Sequence, residues 1–157
     1  MKKVQQRVLQ LNSGYDIPMF GLGTFMSMDK ELIVNSITQA GYRHIDTAAV
    51  YDNEDIVGEA ISEVEKEGIS RDELFITTKL WQSEYHNPHH ALSYSLQRLG
   101  LKYVDLYLIH WPINRVDITG EKLNKIPMHK IWAGMEECVK LGMAKSIGVS
   151  NFNVQLL

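Results

Sequence analysis

The fold is decided by a stretch in the first third of the chain, GYRHIDTAAVY, residues 41–51. A glycine opens it, a short apolar run follows, and the run stops at Asp46, with Tyr51 within reach of a short loop. An ionisable side chain at the end of a buried strand and a nearby phenol can share one pocket. We therefore take Asp46 and Tyr51 as the first candidates for a functional site.

Helical patterns lie on both sides of this stretch. Before it, Ile33, Ile37 and Ala40 fall at positions i, i+4 and i+7, which is one face of a helix. Gly41 then stands where a left-handed C-terminal cap is expected. After the stretch, Asn53 is a preferred N-cap residue for a second helix. The buried face of that second helix is predicted to carry Val57, Ala60, Ile61 and Val64.

The same unit recurs along the chain: a helix stopped by glycine, then a short apolar strand. Further strands are predicted over residues 20–24, 73–79, 104–110 and 144–151. One more helix is predicted from Asn87, and another, after a polar loop over residues 111–127, has an apolar face of Ile131, Met135, Cys138 and Val139. A hairpin over residues 7–19, turning at Gly14, precedes them all. This alternation implies parallel strands joined by crossover helices.

Polar residues stand where these predicted strands end. In a barrel of such units, reactive groups gather at the carboxyl ends of the strands, so those residues are expected to meet. The residues at the predicted strand ends are Asp46, Lys79, His110 and Ser150.

Composition excludes several classes of function. The 157 residues are 45% hydrophobic with a formal net charge of -3, and no basic block suggests a nucleic-acid partner. Cys138 is the only cysteine, so an internal disulfide is excluded and a thiolate zinc site is not expected. No apolar run reaches the ~18 residues of a membrane span, and the N-terminus has no signal-peptide pattern. We expect a cytoplasmic protein that acts on a small molecule.

Four stretches together resemble one family, the aldo-keto reductases. They are residues 41–51, 74–79, 105–112 and 147–152, in the family's order and spread over nearly the whole chain. The resemblance implies an α/β fold, a (β/α)8 TIM barrel, here reduced to about five units with an N-terminal hairpin in a single domain 1–157. It also implies reduction of a small carbonyl substrate, with NADPH as the cofactor.

The resemblance assigns a role to each polar residue. Tyr51 is implied to be the general acid, with Asp46 and Lys79 tuning it and His110 orienting the substrate carbonyl. The implied cofactor contacts are Gly23, Thr24, Asp46, Ser150 and Asn151. The implied substrate-pocket residues are Phe25, Trp81 and Trp111, although many members carry a tryptophan where Phe25 stands. No metal is implied.

These residue types suit that chemistry. Hydride addition builds negative charge on the carbonyl oxygen, and a positioned donor protonates the oxygen as the charge develops. The ammonium of Lys79 favours the phenolate of Tyr51 and so makes the phenol a better acid, and the Asp46 carboxylate favours the ammonium. A neutral His110 can donate a ring N–H toward the carbonyl oxygen.

Two other functions fit some of these residues. Lys79 at a barrel strand end could form a Schiff base, as in an aldolase. Alternatively, the fold could serve as a non-catalytic binding or regulatory subunit. The cluster of His86, His89 and His90 is interpreted as an exposed helix start rather than a metal site.

The chain supplies about five strand–helix units, fewer than a whole barrel, which usually needs about 250 residues. Residues 153–157 are predicted to open another helix, and unpaired sheet edges are expected to drive association. The resemblance assigns the adenine and 2'-phosphate contacts to later units, so the choice between NADP and NAD stays open. We expect this chain by itself to be a fragment with little or no reductase activity.

Overall fold

The computed structural model describes residues 6–113 and 125–157. The strands are β1 (Val8–Gln10), β2 (Asp16–Pro18), β3 (Leu22–Gly23), β4 (His44–Asp46), β5 (Phe75–Leu80), β6 (Val104–Ile109) and β7 (Ala144–Val149). The helices are α1 (Lys30–Thr38), α2 (Glu54–Lys66), α3 (Pro88–Leu99) and α4 (Met128–Lys140).

The strands after the hairpin form a five-stranded parallel sheet in chain order, β3-β4-β5-β6-β7. A helix lies between each strand and the next, which confirms the predicted alternation. The core fills the space between this sheet and its helices, and Ile45, Ile76 and Ile109 are fully buried there. All carboxyl ends of the parallel strands therefore face the same way.

The predicted helix before residue 41 ends earlier than expected. Asn35 O accepts from the amides of Gln39 (2.9 Å) and Ala40 (3.1 Å), and Gly41 adopts a φ of +79°. Because Ala40 lies in this cap, beyond the end of α1, it is exposed instead of joining the buried face with Ile33 and Ile37. The predicted glycine cap is confirmed, whereas the core position of Ala40 is wrong.

The other helical faces follow the predicted periodicity with one exception. Val57, Ala60, Ile61 and Val64 of α2 are buried, as are Ile131, Met135 and Cys138 of α4. Burial raises the pKa of the Cys138 thiol to about 12, as suits a cysteine that packs in the core. Val139 was expected on the same face of α4 but is 38% exposed, because it lies at the edge of that face.

The N-terminal hairpin pairs β1 with β2 antiparallel, and Gly14 turns it with a φ of +87°. Ser13 Oγ at its tip lies 2.7 Å from Ser146 Oγ, so the hairpin contacts β7.

Some predicted bounds differ from the structure. The first barrel strand is shorter than the predicted 20–24, and β5 continues one residue past Lys79 to Leu80. Residues 154–156 form a turn, not a helix. Part of the predicted 111–127 loop lies outside the described residues.

Candidate active site

The site lies at the carboxyl ends of the parallel strands, and residues 41–51 build its first wall. β4 ends at Asp46, and the chain continues into a short 3-10 helix, Ala49–Tyr51, that presents Tyr51. The amide of Tyr51 donates to Ala48 O at 3.0 Å, and Asp52 closes the turn in the left-handed region at φ +53°. Tyr51 is therefore held on a tight turn directly above the strand that carries Asp46.

Lys79 joins this turn to the neighbouring strand. Its Nζ donates to Asp46 Oδ1 at 2.5 Å, to Thr47 O at 2.8 Å and to Tyr51 Oη at 3.5 Å. Lys79 is only 5% exposed, whereas the Asp46 side chain is 31% exposed. These contacts suit the three N–H donors of an ammonium group, and the phenol of Tyr51 is the most distant acceptor.

His110 follows β6 and closes the site opposite Tyr51. The two ring centroids lie 5.6 Å apart, nearly perpendicular. Burial, reinforced by the positive charge of Lys79 and opposed by Asp46, lowers the pKa of His110 to about 4, so the imidazole is neutral at neutral pH. Within residues 6–113 and 125–157, its buried Nδ1 has no hydrogen-bond partner.

Aromatic side chains stand around this pair of rings. The ring of Phe25 lies 5.0 Å from that of Tyr51, and the ring of Trp81 lies 5.2 Å from that of His110. Trp111 stacks on His110 at 6.3 Å. Phe25 is 66% exposed and Trp111 40%, so both present apolar surface beside Tyr51 and His110. The three residues expected to line a substrate pocket are thus brought together, and their role stays a prediction.

Two residues expected to contact a cofactor follow β7. The amide of Ser150 donates to Ile109 O at 2.9 Å. Asn151, at φ +62°, donates from Nδ2 to His110 O (2.8 Å) and to Ser150 Oγ (3.1 Å). The Asn151 amide oxygen and the half-buried Ser150 hydroxyl remain as groups that a ligand amide could meet.

The other two expected cofactor residues differ from each other. Gly23 pairs with Asp46 in the sheet, and a side chain placed there would meet open space. Thr24 is fully buried, and its hydroxyl donates to Asp46 O at 3.2 Å. Thr24 therefore supports the wall of the site from behind, while Gly23 leaves room in front of it.

Sequence reasoning missed two residues of this site. Thr47 contributes its backbone carbonyl to Lys79, and a carbonyl contact has no signature in residue type. Asn53 was expected only to cap α2, yet its side chain is fully buried and bonds to the loop after β3.

In the described part of the chain, no group of three His, Cys, Asp or Glu side chains is arranged to hold a metal ion. No described helix is long and apolar enough to cross a membrane.

Comparison with known proteins agrees with this fold. The model of the aldo/keto reductase family matches residues 19–157, and the chain belongs to this family. It is 44% identical to the glycerol 2-dehydrogenase (NADP(+)) of Saccharomyces cerevisiae, over 96% of this chain and 54% of that protein. It is 42% identical to the methylglyoxal reductase DkgA of Escherichia coli, over 96% of this chain and 51% of that protein.

Solved structures give the same result. A Bombyx mori aldo-keto reductase in complex with NADP superposes with a TM-score of 0.88 at 43% identity, over 98% of this chain and 53% of that one. The five parallel strands thus correspond to part of the aldo-keto reductase barrel, as predicted. The chain spans about half the length of the relatives it matches.

Proposed function

We propose that this site belongs to an enzyme that reduces a small carbonyl compound to an alcohol, with NADPH as the hydride donor and Tyr51 as the general acid. The observation that carries the proposal is the position of Lys79, whose ammonium group reaches both the Asp46 carboxylate and the Tyr51 phenol. The Asp46 carboxylate, the Lys79 ammonium and the Tyr51 phenol follow one another in this order. The phenol can therefore donate a proton next to the neutral imidazole of His110.

The residues present fit a nicotinamide cofactor. A carboxamide carries both a donor and an acceptor, which match the Asn151 amide oxygen and the Ser150 hydroxyl. The open space in front of Gly23 leaves room for the cofactor beside Asp46. When bound there, NADPH supplies the hydride. The relative named a glycerol 2-dehydrogenase (NADP(+)) and the neighbour solved with NADP support this choice.

The chain's own residues handle the proton. As hydride adds to the carbonyl carbon, negative charge grows on the oxygen, and Tyr51 donates its phenolic proton to that oxygen. The Lys79 ammonium stabilises the phenolate that remains, and the Asp46 carboxylate pairs with that ammonium at 2.5 Å. The phenolate then takes up a proton from solvent, which restores the acid.

His110 and the aromatic side chains hold the substrate. A neutral imidazole donates one ring N–H to the carbonyl oxygen without adding a second full charge beside Lys79. Orienting the carbonyl in this way makes hydride transfer effectively intramolecular. Phe25, Trp81 and Trp111 form apolar walls that exclude water and so strengthen the electrostatic interactions inside. A small aldehyde or ketone with an apolar or aromatic group suits such a pocket.

The two alternative functions receive less support. A Schiff base requires the neutral amine of Lys79, whereas an adjacent carboxylate at 2.5 Å favours the charged form. A purely binding role gives no reason for a phenol beside an ammonium group in a buried site. Both alternatives leave Tyr51 without a function, and carbonyl reduction uses it.

The test is loss of NADPH absorbance on addition of an aldehyde. It is run on the 157-residue chain and on a chimera in which this chain replaces the matching part of the yeast glycerol 2-dehydrogenase. In the chimera, Tyr51→Phe is expected to lower kcat by about 10²–10⁴-fold, the usual contribution of a general acid. The matched control is Tyr15→Phe, because Tyr15 is exposed and lies in the N-terminal hairpin, away from the site.

Other results would contradict the proposal. An unchanged rate in Tyr51→Phe would mean that Tyr51 is not the general acid. Trapping of a substrate on Lys79 by borohydride would favour the aldolase. Unchanged binding of a partner with no turnover in either variant would favour the binding subunit. A rate for the chain alone that equals the chimera's would refute our expectation of little or no activity.

A further inference from the structure

Asn53 does something other than what its place in the sequence suggests. It stands directly before α2, where an asparagine is expected to cap the helix, yet its side chain makes no capping bond in the described structure. Instead, Nδ2 donates to Thr24 O at 2.7 Å and to Ser27 O at 2.8 Å. Its Oδ1 accepts from Thr47 Oγ1 at 3.2 Å. Asn53 is fully buried, so these bonds replace contacts with water.

The partners of Asn53 belong to two neighbouring walls of the site. Thr24 and Ser27 bracket the loop that carries Phe25, whose ring lies 5.0 Å from that of Tyr51. Thr47 lies on the turn that leads to Tyr51, and its carbonyl accepts from Lys79. One buried amide therefore ties the loop after β3 to the turn after β4.

The two walls depend on Asn53 to different degrees. The turn keeps other bonds without it, since the amide of Tyr51 donates to Ala48 O and Lys79 holds Thr47 O. The loop has other ties to the protein at one end only: the amide and the hydroxyl of Thr24 donate to Asp46 O at 3.0 and 3.2 Å, whereas the amide of Ser27 donates to Thr24 O within the loop. Loss of the Asn53 amide therefore releases the Phe25 side of the site more than the Tyr51 side.

We propose that Asn53 is a positioning residue that sets the width of the substrate site by holding the Phe25 loop against the Tyr51 turn. The kinetic part of this inference rests on the proposed carbonyl reduction. Because the proton donor stays in place, a variant without the amide raises KM by about tenfold, the effect of losing one or two hydrogen bonds, and changes kcat much less. A residue that only stabilised the fold would not separate the two constants in this way.

Asn87 supplies a matched control. It also precedes a helix, and its Oδ1 accepts from the amide of His90, so it is a true N-cap of α3. Serine caps helices about as well as asparagine. Asn87→Ser is therefore expected to be neutral, and Asn53→Ser would be neutral too if Asn53 only capped α2. A serine at position 53 is too short to reach both Thr24 O and Ser27 O.

The experiment is amide hydrogen exchange on the 157-residue chain, with KM and kcat measured in the chimera. In Asn53→Ser we expect about tenfold faster exchange at the amides of Thr24 and Ser27, with the α2 amides unchanged, and the rise in KM given above. Neither change is expected in Asn87→Ser. Unchanged exchange and unchanged KM in Asn53→Ser would overturn the proposal.

A milder variant keeps the test decisive if Asn53→Ser does not fold. Thr47→Val removes the hydroxyl that donates to Asn53 Oδ1 and leaves the Thr47 carbonyl in place. Exchange at Thr24 and Ser27 is then expected to quicken by a smaller factor, and no change there would overturn the proposal. The exchange measurement needs no turnover, so it can succeed even if the site does not reduce carbonyls.

Discussion

Two groups of ionisable residues lie at opposite ends of the same parallel sheet. The active-site cluster, at the carboxyl ends of the strands, consists of Asp46, Tyr51, Lys79 and His110. The strand-start cluster, at the amino ends, consists of Arg71, Asp105 and Lys145. Both place a carboxylate beside buried or half-buried cations, and they differ in how far that carboxylate is open to a ligand.

The carboxylate of the strand-start cluster has little capacity left for a ligand, because it is buried and already accepts three hydrogen bonds. Asp105 Oδ2 accepts from Arg71 Nη2 at 2.7 Å and from the amide of Ile76 at 2.9 Å, and Oδ1 accepts from Lys145 Nζ at 3.0 Å. Both cations also lie over the ring of Tyr103, at 4.5 and 4.4 Å. Asp105 is 4% exposed, so this cluster joins β5, β6 and β7 and offers nothing to a substrate.

The active-site cluster keeps such capacity. Lys79 reaches Tyr51 only at 3.5 Å, His110 has a buried ring nitrogen without a partner among the described residues, and the Asp46 side chain is 31% exposed. Each cluster holds one buried nitrogen without a partner among the described residues, His110 Nδ1 in the active-site cluster and Arg71 Nε in the strand-start cluster, so this feature does not distinguish them. The exposure of Asp46, compared with 4% for Asp105, separates the cluster that the proposed function uses from the cluster that joins the strands.

The largest expected effect is on kcat, when the lysine of the active-site cluster is replaced by methionine. In the chimera, Lys79→Met removes the cation that stabilises the Tyr51 phenolate, and kcat is expected to fall by about 10²–10⁴-fold in the NADPH assay. Lys145→Met is the matched control, since Lys145 touches no residue of the active-site cluster, and kcat is expected to stay within about twofold. Equal losses in both variants would contradict the division of roles.

The next effect is on stability, and here the strand-start variant is expected to lose more than the active-site variant. Asp105→Asn leaves Arg71 and Lys145 without their carboxylate, and the free energy of unfolding is expected to fall by about 3–5 kcal/mol, as for a broken buried ion pair. Asp46→Asn is expected to cost less, about 1.5–3 kcal/mol, because the buried Lys79 loses its charged partner but keeps Thr47 O as an acceptor. Urea unfolding of the chain measures both values. If Asp46→Asn were the more destabilising change, the comparison would fail.

The order and type of the elements were predictable because long periodic patterns decide them. Apolar residues at helical spacing and short β-branched runs recur along the chain, and parallel strands bring their carboxyl ends together. This is why Asp46, Lys79 and His110 could be expected at one place from their positions alone. Their catalytic roles stay a prediction that the kinetic variants test.

The features that escaped prediction depend on contacts between distant segments. Asn53 is a suitable cap residue, but its Oδ1 accepts from the Thr47 hydroxyl and its Nδ2 donates to the carbonyls of Thr24 and Ser27, so the buried side chain is not used for the cap of α2. Thr47 acts through its main chain, which residue type does not encode. Ala40 fits the helical period but lies in the cap, because the backbone turns there first.

The smallest effect is a difference in pH dependence between the two clusters. Burial, with Lys79 adding to it and Asp46 opposing it, lowers the pKa of His110 from 6.5 to about 4. Between these values the unfolded chain binds more protons than the folded one, so stability falls with falling pH, by about 2–3 kcal/mol. Burial lowers the pKa of Lys145, but its hydrogen bond and charge interaction with Asp105, together with Tyr103, outweigh burial and raise this pKa overall, so the strand-start cluster loses stability at alkaline pH instead.

Urea unfolding as a function of pH measures this difference, with His110→Gln as the reference. The variant keeps His44, whose pKa burial also lowers, so subtracting the two curves isolates His110. The wild-type chain is expected to lose more stability than His110→Gln as pH falls from 6.5 to 4, and equally much at alkaline pH. Parallel acid limbs would mean that folding does not lower the pKa of His110 from 6.5, so the imidazole would gain a proton just below neutral pH and the neutral hydrogen-bond donor that the mechanism requires would not be secured there.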